Sequence, residues 1–295
     1  MARIAHLSDI HFGAHDLRIV SATEAWLNAN QPDLVIISGD FTQRARVEQF
    51  RAASVYLGRL RQAGHKLLVI PGNHDIPFYD VARRFLSPLH RYKRYISSNL
   101  CPWFENEEVA VLGLNTARSL TFKDGRIKRD QIALMHDRFS KVSPAKTRIL
   151  VTHHPLFSMP IGKGGELSEA VGHHEDAVKA ACAAGVNIAL AGHFHRTYAE
   201  EARKMVAKAG AALVIQAGTA TSTRLRNDEP QSFNLIHTNG SADIELQVVA
   251  WNGSGFGRRD HIRYQFFDGH WSRQECEDRS AVSPSPSSAV AQSPR

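Results

Sequence analysis

The sequence predicts a layered α/β domain in which helices pack on sheet, followed by a strand-rich half. Three observations predict it. Short apolar runs dense in Val, Ile and Leu recur along the first two thirds of the chain, as strands buried on both faces require. Stretches with helical spacing of apolar residues lie between them. After Gly192 that spacing stops, and strand-length runs joined by Gly- and Asn-rich turns take over.

The strand-length runs are Ile4–Leu7, Leu34–Ile37, Leu67–Ile70, Val109–Leu114, Ile149–Thr152 and Asn187–Leu190. Val47, Phe50, Leu57 and Leu60 fall on one face of a helix expected over Arg46–Arg61. Gln49, Arg51, Arg59 and Arg61 are polar, and Gly64 follows as a stop. Asp130–Phe139 and Glu175–Ala184 also read as helices, the second ending at Gly185. Strands are expected over Ala211–Gln216, Ser232–His237, Ile244–Trp251 and Ile262–Phe267, which together suggest a second sheet stacked on the first.

A folded domain is expected over residues 1–277. Residues 278–295 are dominated by Ser, Pro and Ala, too poor in apolar area to offset chain entropy, and read as a disordered tail. Ser158–Gly172, with Gly162, Gly164 and Gly165, reads as a mobile loop able to cover or shape a pocket.

A chain of 295 residues, 43% hydrophobic and 22% charged, has the composition of a globular protein with a sizeable core. The formal charge of +7 permits anionic substrates, nucleic acid or an acidic membrane surface, and selects none of them. Cys101, Cys182 and Cys276 are far apart, so neither a zinc knuckle nor a thioredoxin-like pair is supported. The first residues enter a strand-like run directly, and no run approaches the roughly 18 apolar residues of a membrane span. A soluble, cytoplasmic protein is expected.

Polar clusters sit where the predicted strands end. They read Asp9-x-His11, Gly39-Asp40, Gly72-Asn73-His74-Asp75, His153-His154-Pro155 and Gly192-His193-Phe194-His195. Asp, Asn and His are the oxygen and nitrogen donors that divalent first-row metals accept. One tetrahedral ion takes about four ligands. The donors here suit two ions sharing a carboxylate, a device for in-line displacement at phosphorus. Each cluster alone is an ordinary polar turn or a structural histidine. Their recurrence at five strand ends is what carries weight, because the carboxyl ends of parallel strands share an edge where ligands bind. His74 need not bind metal; its imidazole can donate a proton or orient a phosphate, with Asp75 holding the ring in one tautomer.

The order D-x-H, G-D, G-N-H-D, H-H-P, G-H-x-H resembles the calcineurin-like metallophosphoesterase superfamily, with every motif intact between Asp9 and His195. Gly39-Asp40-Phe41-Thr42-Gln43 and the His-His-Pro cluster look most like its bacterial class III cyclic-nucleotide phosphodiesterase branch. The resemblance implies a four-layer αββα sandwich, two mixed sheets flanked by helices, with two divalent ions (manganese, iron or zinc) at the sheet edge. It implies Asp9, His11 and His195 on one ion, Asn73, His153 and His193 on the other, and Asp40 bridging. His74 would act beside the phosphate. His154 and Asn115 are held as substrate contacts, His154 alternatively as a support for a ligand.

Two divalent ions carry four positive charges, of which Asp9 and Asp40 offset two, so a phosphodiester anion is attracted and bound water ionises readily. A metal-bound hydroxide attacking phosphorus is the expected chemistry. A small phosphodiester, a cyclic nucleotide first, is the expected substrate. A lipid-precursor pyrophosphatase, acting on a UDP-sugar, and a DNA nuclease are the enzyme alternatives; a metal-free binding scaffold is the non-enzyme one. The basic stretch Arg83, Arg84, Arg91, Lys93 and Arg94, interleaved with Phe85, Leu89, Tyr92 and Tyr95, reads as a solvated helix face, with anion guidance as the alternative.

Overall fold

The computed structural model describes residues 1–120, 125–156, 160–161, 166–167, 172, 174–201, 212–225 and 229–276. The chain enters through β1 (Ala2–Leu7), α1 (Leu17–Asn30), β2 (Leu34–Ile37), α2 (Val47–Gln62) and β3 (Leu67–Val69). A single 3-10 turn (Asn73–Asp75) precedes the short helices α3 (Val81–Leu86) and α4 (His90–Tyr95). Then come β4 (Trp103–Glu105), β5 (Val109–Gly113), α5 (Arg129–Ser140), β6 (Thr147–Val151), β7 (Pro160–Ile161), β8 (Glu166–Leu167), α6 (His174–Ala183) and β9 (Ile188–Ala191). The described chain closes with β10 (Tyr198–Glu201), β11 (Leu213–Gln216), β12 (Ser232–Thr238), β13 (Asp243–Trp251), β14 (Phe256–Phe267) and β15 (His270–Glu275).

Two mixed sheets form, ordered β15-β14-β13-β12-β1-β2-β3 and β10-β11-β9-β6-β5-β4, beside the small β7–β8 pair. β1, β2 and β3 are parallel, and β12 joins β1 antiparallel, with Ala2 opposite Thr238 and His6 opposite Asn234. In the other sheet β5, β6, β9 and β11 are parallel, edged by antiparallel β4 and β10.

Alternate side chains of each strand separate into layers. Ile4, Leu34, Ile36 and Leu68 meet Val111, Ile149, Ile188 and Ile215 between the sheets. Their neighbours Ala5, Leu7, Val35 and Ile37 turn outward to Val20 and Leu27 of α1 and Phe50, Leu57 and Leu60 of α2. Leu112, Leu150 and Ala189 turn the other way, to Met135 and Phe139 of α5 and Val178 of α6. This is the four-layer αββα arrangement. Burial on both faces explains why the strands read as unbroken apolar runs.

One expectation is corrected. The strands after residue 230 do not build a second sheet of their own. β12 to β15 extend the first sheet through β1, while β5, β6 and β9 leave the first sheet and form the second with β11. A strand apolar on both faces fits either sheet, so pairing is decided by partners far away in sequence. The tail expected over 278–295 lies outside the described residues, as does Ser158–Gly172 apart from β7, β8 and Gly172.

The helix expected over Arg46–Arg61 is α2, with Arg46 at its N-cap. The basic stretch becomes α3 and α4. There Arg84 is buried and spends its guanidinium on the carbonyls of Ser119 (2.7 Å) and Pro77 (3.0 Å). Arg91 donates to the Ala45 carbonyl at 2.7 Å. These two cations pin loops rather than face solvent. Among the described residues no helix is long and apolar enough to cross a membrane.

Candidate metal centre

The five polar clusters follow β1, β2, β3, β6 and β9. The first three strands belong to one sheet and the last two to the other, so the clusters do not share one sheet's edge as expected. They meet where the carboxyl ends of two stacked sheets converge. Backbone bonds hold them together: Asp9 N donates to Gly39 O (3.1 Å), His11 N to Asp40 O (2.9 Å) and Gly192 N to His153 O (3.1 Å).

The backbone there is unusual. Asp9, His11, Asp40, His193 and His195 all have φ between 53° and 77°. They are five of the eight non-glycine residues with positive φ among the described residues. Each such residue costs roughly 1–3 kcal/mol and persists only where its surroundings enforce it. Close approach also dictates glycine at two positions. A Cβ at Gly72 would run into the Asp40 carboxylate, and one at Gly192 into the Ser8 hydroxyl.

Two groups of donors result. In one, His195 Nε2 lies 3.0 Å and His11 Nε2 3.5 Å from Asp9 Oδ1. In the other, Asn73 Oδ1 lies 3.0 Å from His153 Nε2 and 3.1 Å from His193 Nδ1. Asp40 stands between them, its Oδ2 3.7 Å from His11 Nε2 and 3.4 Å from His153 Nε2. Its Oδ1 accepts the His74 backbone N–H at 2.8 Å.

Carbonyl acceptors set two of the imidazoles. His153 Nδ1 donates to Ser38 O at 2.7 Å and His195 Nδ1 to Arg224 O at 3.2 Å, which turns each Nε2 lone pair inward in the neutral ring. Asp9 Oδ1 is buried without a hydrogen-bond donor in good geometry. A buried oxygen left bare among inward nitrogens is the donor chemistry of a cation site, so the residues present fit divalent ions.

Charge is tightly coupled here. Burial alone would raise the Asp40 carboxyl, but the imidazoles of His153, His74 and His11 outweigh it and hold it well below the usual carboxylate range. Asp9 is held low in the same way by His195 and His11. Burial works against a proton on His153, yet the Asp40 carboxylate prevails and raises that imidazole to about 9. Burial lowers His11, only partly offset by Asp9 and Asp40.

His74 rests edge-on against His11, ring centroids 4.9 Å apart, and its Nδ1 donates to Gln43 O at 2.8 Å. Asp75 does not hold that ring, contrary to expectation. Its carboxyl accepts from the backbone N–H groups of Phe41, Thr42 and Gly72 and from the Thr42 hydroxyl, so it braces the loops behind Asp40. Burial, with the Asp40 charge nearby, pushes it up to about 7.

His154 bonds Thr116 Oγ1 through Nδ1 at 2.8 Å and packs on His193, ring centroids 4.6 Å apart. Its Nε2 is buried without a hydrogen-bond partner, and the ring forms a possible metal-holding group with His153 and His193. Asn115 is set apart from the donors. Its Oδ1 caps Ala117 N at 2.9 Å, and it lines an adjoining cavity.

Sequence reasoning missed the supports. Ser8 Oγ donates to Asp9 Oδ2 at 2.6 Å, and Thr219 Oγ1 to Asp9 O at 2.7 Å. Thr221 Oγ1 donates to Ile10 O at 2.7 Å. Thr219, Thr221 and Arg224 follow β11, a parallel strand like the others. Their position after a strand was the available signal; their residue types were not.

Comparison with known proteins agrees with this geometry. Residues 2–197 match the family model described as calcineurin-like phosphoesterase. Over 172 residues the chain is 28% identical to a glycerophosphodiester phosphodiesterase of Enterobacter lignolyticus, covering 54% of this chain and 58% of that protein. The match therefore spans little more than half of that relative's length. The fold is similar to that of the purple acid phosphatase PPD1 of yellow lupin, with a TM-score of 0.66 and 13% identity over 87% of this chain and 52% of that one. It is also similar to a dimetal phosphatase of Danio rerio, with a TM-score of 0.60 and 11% identity over 90% and 99% of the two chains. On the extent of the family match, with all five motifs gathered at one site, the chain belongs to the calcineurin-like phosphoesterase family.

Proposed function

We propose that this chain is a dinuclear metal-dependent phosphodiesterase acting on a small phosphodiester, and that residues 1–277 form its catalytic domain. The observation that carries this reading is the position of Asp40 Oδ2 between the two donor groups, 3.7 Å from His11 Nε2 and 3.4 Å from His153 Nε2. Asp9, His11 and His195 would hold one ion and Asn73, His153 and His193 the other, with Asp40 shared. The mixed oxygen and nitrogen shell suits manganese, iron or zinc. When bound, two such ions supply an ionised water and neutralise charge building on the phosphoryl oxygens.

The remaining work falls to the protein. Ser38 and Arg224 carbonyls hold the His153 and His195 rings in one tautomer. Ser8 and Thr219 orient Asp9, and Asp75 fixes the loop that presents Asp40. His74, with its Nδ1–H spent on Gln43 O, would pass the Nε2 proton of its imidazolium form to a leaving oxygen and be left as the neutral ring. The name of the relative, a glycerophosphodiester phosphodiesterase, supports the diester class. A cyclic nucleotide is the first substrate to try.

The test is turnover of bis(p-nitrophenyl) phosphate by protein stripped of metal and reloaded with manganese, iron or zinc, with metal content measured in parallel. Turnover with two ions per chain is expected. No turnover with any of the three would leave a binding scaffold instead.

A further inference from the structure

A cavity of about 1100 Å³ lies between α4, the segment after β5 and the N-terminal end of α5. That is slightly above the roughly 300–1,000 Å³ usual for ligand pockets. Ile76, Leu89 and Leu100 give it apolar lining. Among the described residues five cationic side chains, Lys93, Arg118, Arg126, Lys128 and Arg129, line it against the single carboxylate of Asp130. Among the described residues Lys93, Arg118, Lys128 and Arg129 make no ion pair. Arg84 and Arg91, by contrast, are committed to carbonyls. Cations gathered around one concavity repel one another, and an anion seated among them relieves that repulsion.

The cavity is lined by chain neighbours of residues at the metal centre. Ile76 directly follows the Asn73–Asp75 turn. Asn115 and Ala117 flank Thr116, whose hydroxyl bonds His154. Arg126 follows Gly125, which lies so close to His154 that a Cβ there would stand 2.5 Å from its Nδ1. The cavity therefore lies on the His154 side of the centre.

We infer that the cavity receives a second anionic group, carried on the part of the substrate beyond the scissile phosphate. The preferred substrates are then phosphodiesters with a further phosphate or carboxylate and an apolar face between the two charges, ahead of a simple cyclic nucleotide, which carries one charge only. This rests on the phosphodiesterase reading for the identity of the first group. The cations and the apolar lining favour such a portion over a neutral, wholly polar one.

The experiment compares calorimetric binding of thymidine 3′,5′-bisphosphate and thymidine 5′-monophosphate to the full, metal-loaded chain. Wild type is expected to bind the bisphosphate about tenfold tighter or better, the scale of one charge-assisted contact. The double variant Arg118→Ala/Lys128→Ala should bring the two affinities together. Arg118→Lys/Lys128→Arg should restore the difference, and Lys179→Ala on α6, outside the cavity, should keep it. Equal affinities in wild type, or a difference that survives the double alanine variant, would overturn the inference. Binding is read whether or not bis(p-nitrophenyl) phosphate is turned over, so failure of the activity and failure of this subsite are separate results.

Discussion

His11 and His195 meet nitrogen to nitrogen, their Nε2 atoms 3.1 Å apart and both residues buried. With the His195 Nδ1–H bound to Arg224 O, two neutral rings cannot both aim lone pairs across that gap without a cation or a proton between them. Nearby, His153 stays protonated up to about 9, because the Asp40 carboxylate outweighs its burial. Metal uptake must displace that proton.

The first prediction is therefore a pH dependence of metal affinity. Because the His153 imidazole rises from 6.5 to about 9, apparent affinity should climb with pH across that window and flatten above it. One displaced proton corresponds to about tenfold per pH unit. Zinc titrations by calorimetry in two buffers of different ionisation heat at pH 7.5 should show proton release. No release would remove His153 from the ligands. The same raised imidazole stabilises the metal-free fold, fully below pH 6.5, with the contribution lost as pH rises through about 9.

Asp40→Ala removes the carboxylate that stands between the two donor groups. Both ions should be lost, and turnover of bis(p-nitrophenyl) phosphate should fall by about 10³-fold or more. Metal analysis after gel filtration checks the first point. A variant that keeps two ions would refute the sharing.

His74→Ala should separate chemistry from binding. Its ring contacts His11 but its Nδ1 is spent on Gln43 O. The expected result is a kcat lower by about 10²–10⁴-fold with metal content near wild type, as for loss of a general acid. A loss of metal would make His74 a ligand.

Gly72→Ala tests the close approach behind Asp40. Its φ of −108° suits alanine, so the cost is the collision with Asp40, both its carboxylate and its backbone nitrogen. A loss of about 1–3 kcal/mol and reduced metal content are expected. Gly58→Ala, where a Cβ meets nothing within 4 Å on α2, should instead stabilise by about 0.5–1 kcal/mol. Denaturant melts of the two variants check both signs.

The strand runs and the donor residues were legible because each is a local pattern of residue types. α1 was not, because Thr23 takes a core position and returns its hydroxyl to Ile19 O at 2.7 Å, which hides the helical stripe. Sheet membership was not, because Val111 and Ile36 look alike in sequence although they come from opposite sheets. The Asp75 role was misread because the donors it accepts from, the N–H groups of Phe41 and Thr42, lie more than 30 residues away. His154 packs on His193 and bonds Thr116, partners that no local pattern announces.

Asp9 and His11 follow β1 while His195 follows β9, so one ion would be gripped from both halves of the sandwich at once. Such an ion would act as a rivet through the two slabs. Prising them apart would break it, and chelation would loosen the seam where they touch. The contents of the centre and the tightness of that seam would then be coupled at one joint.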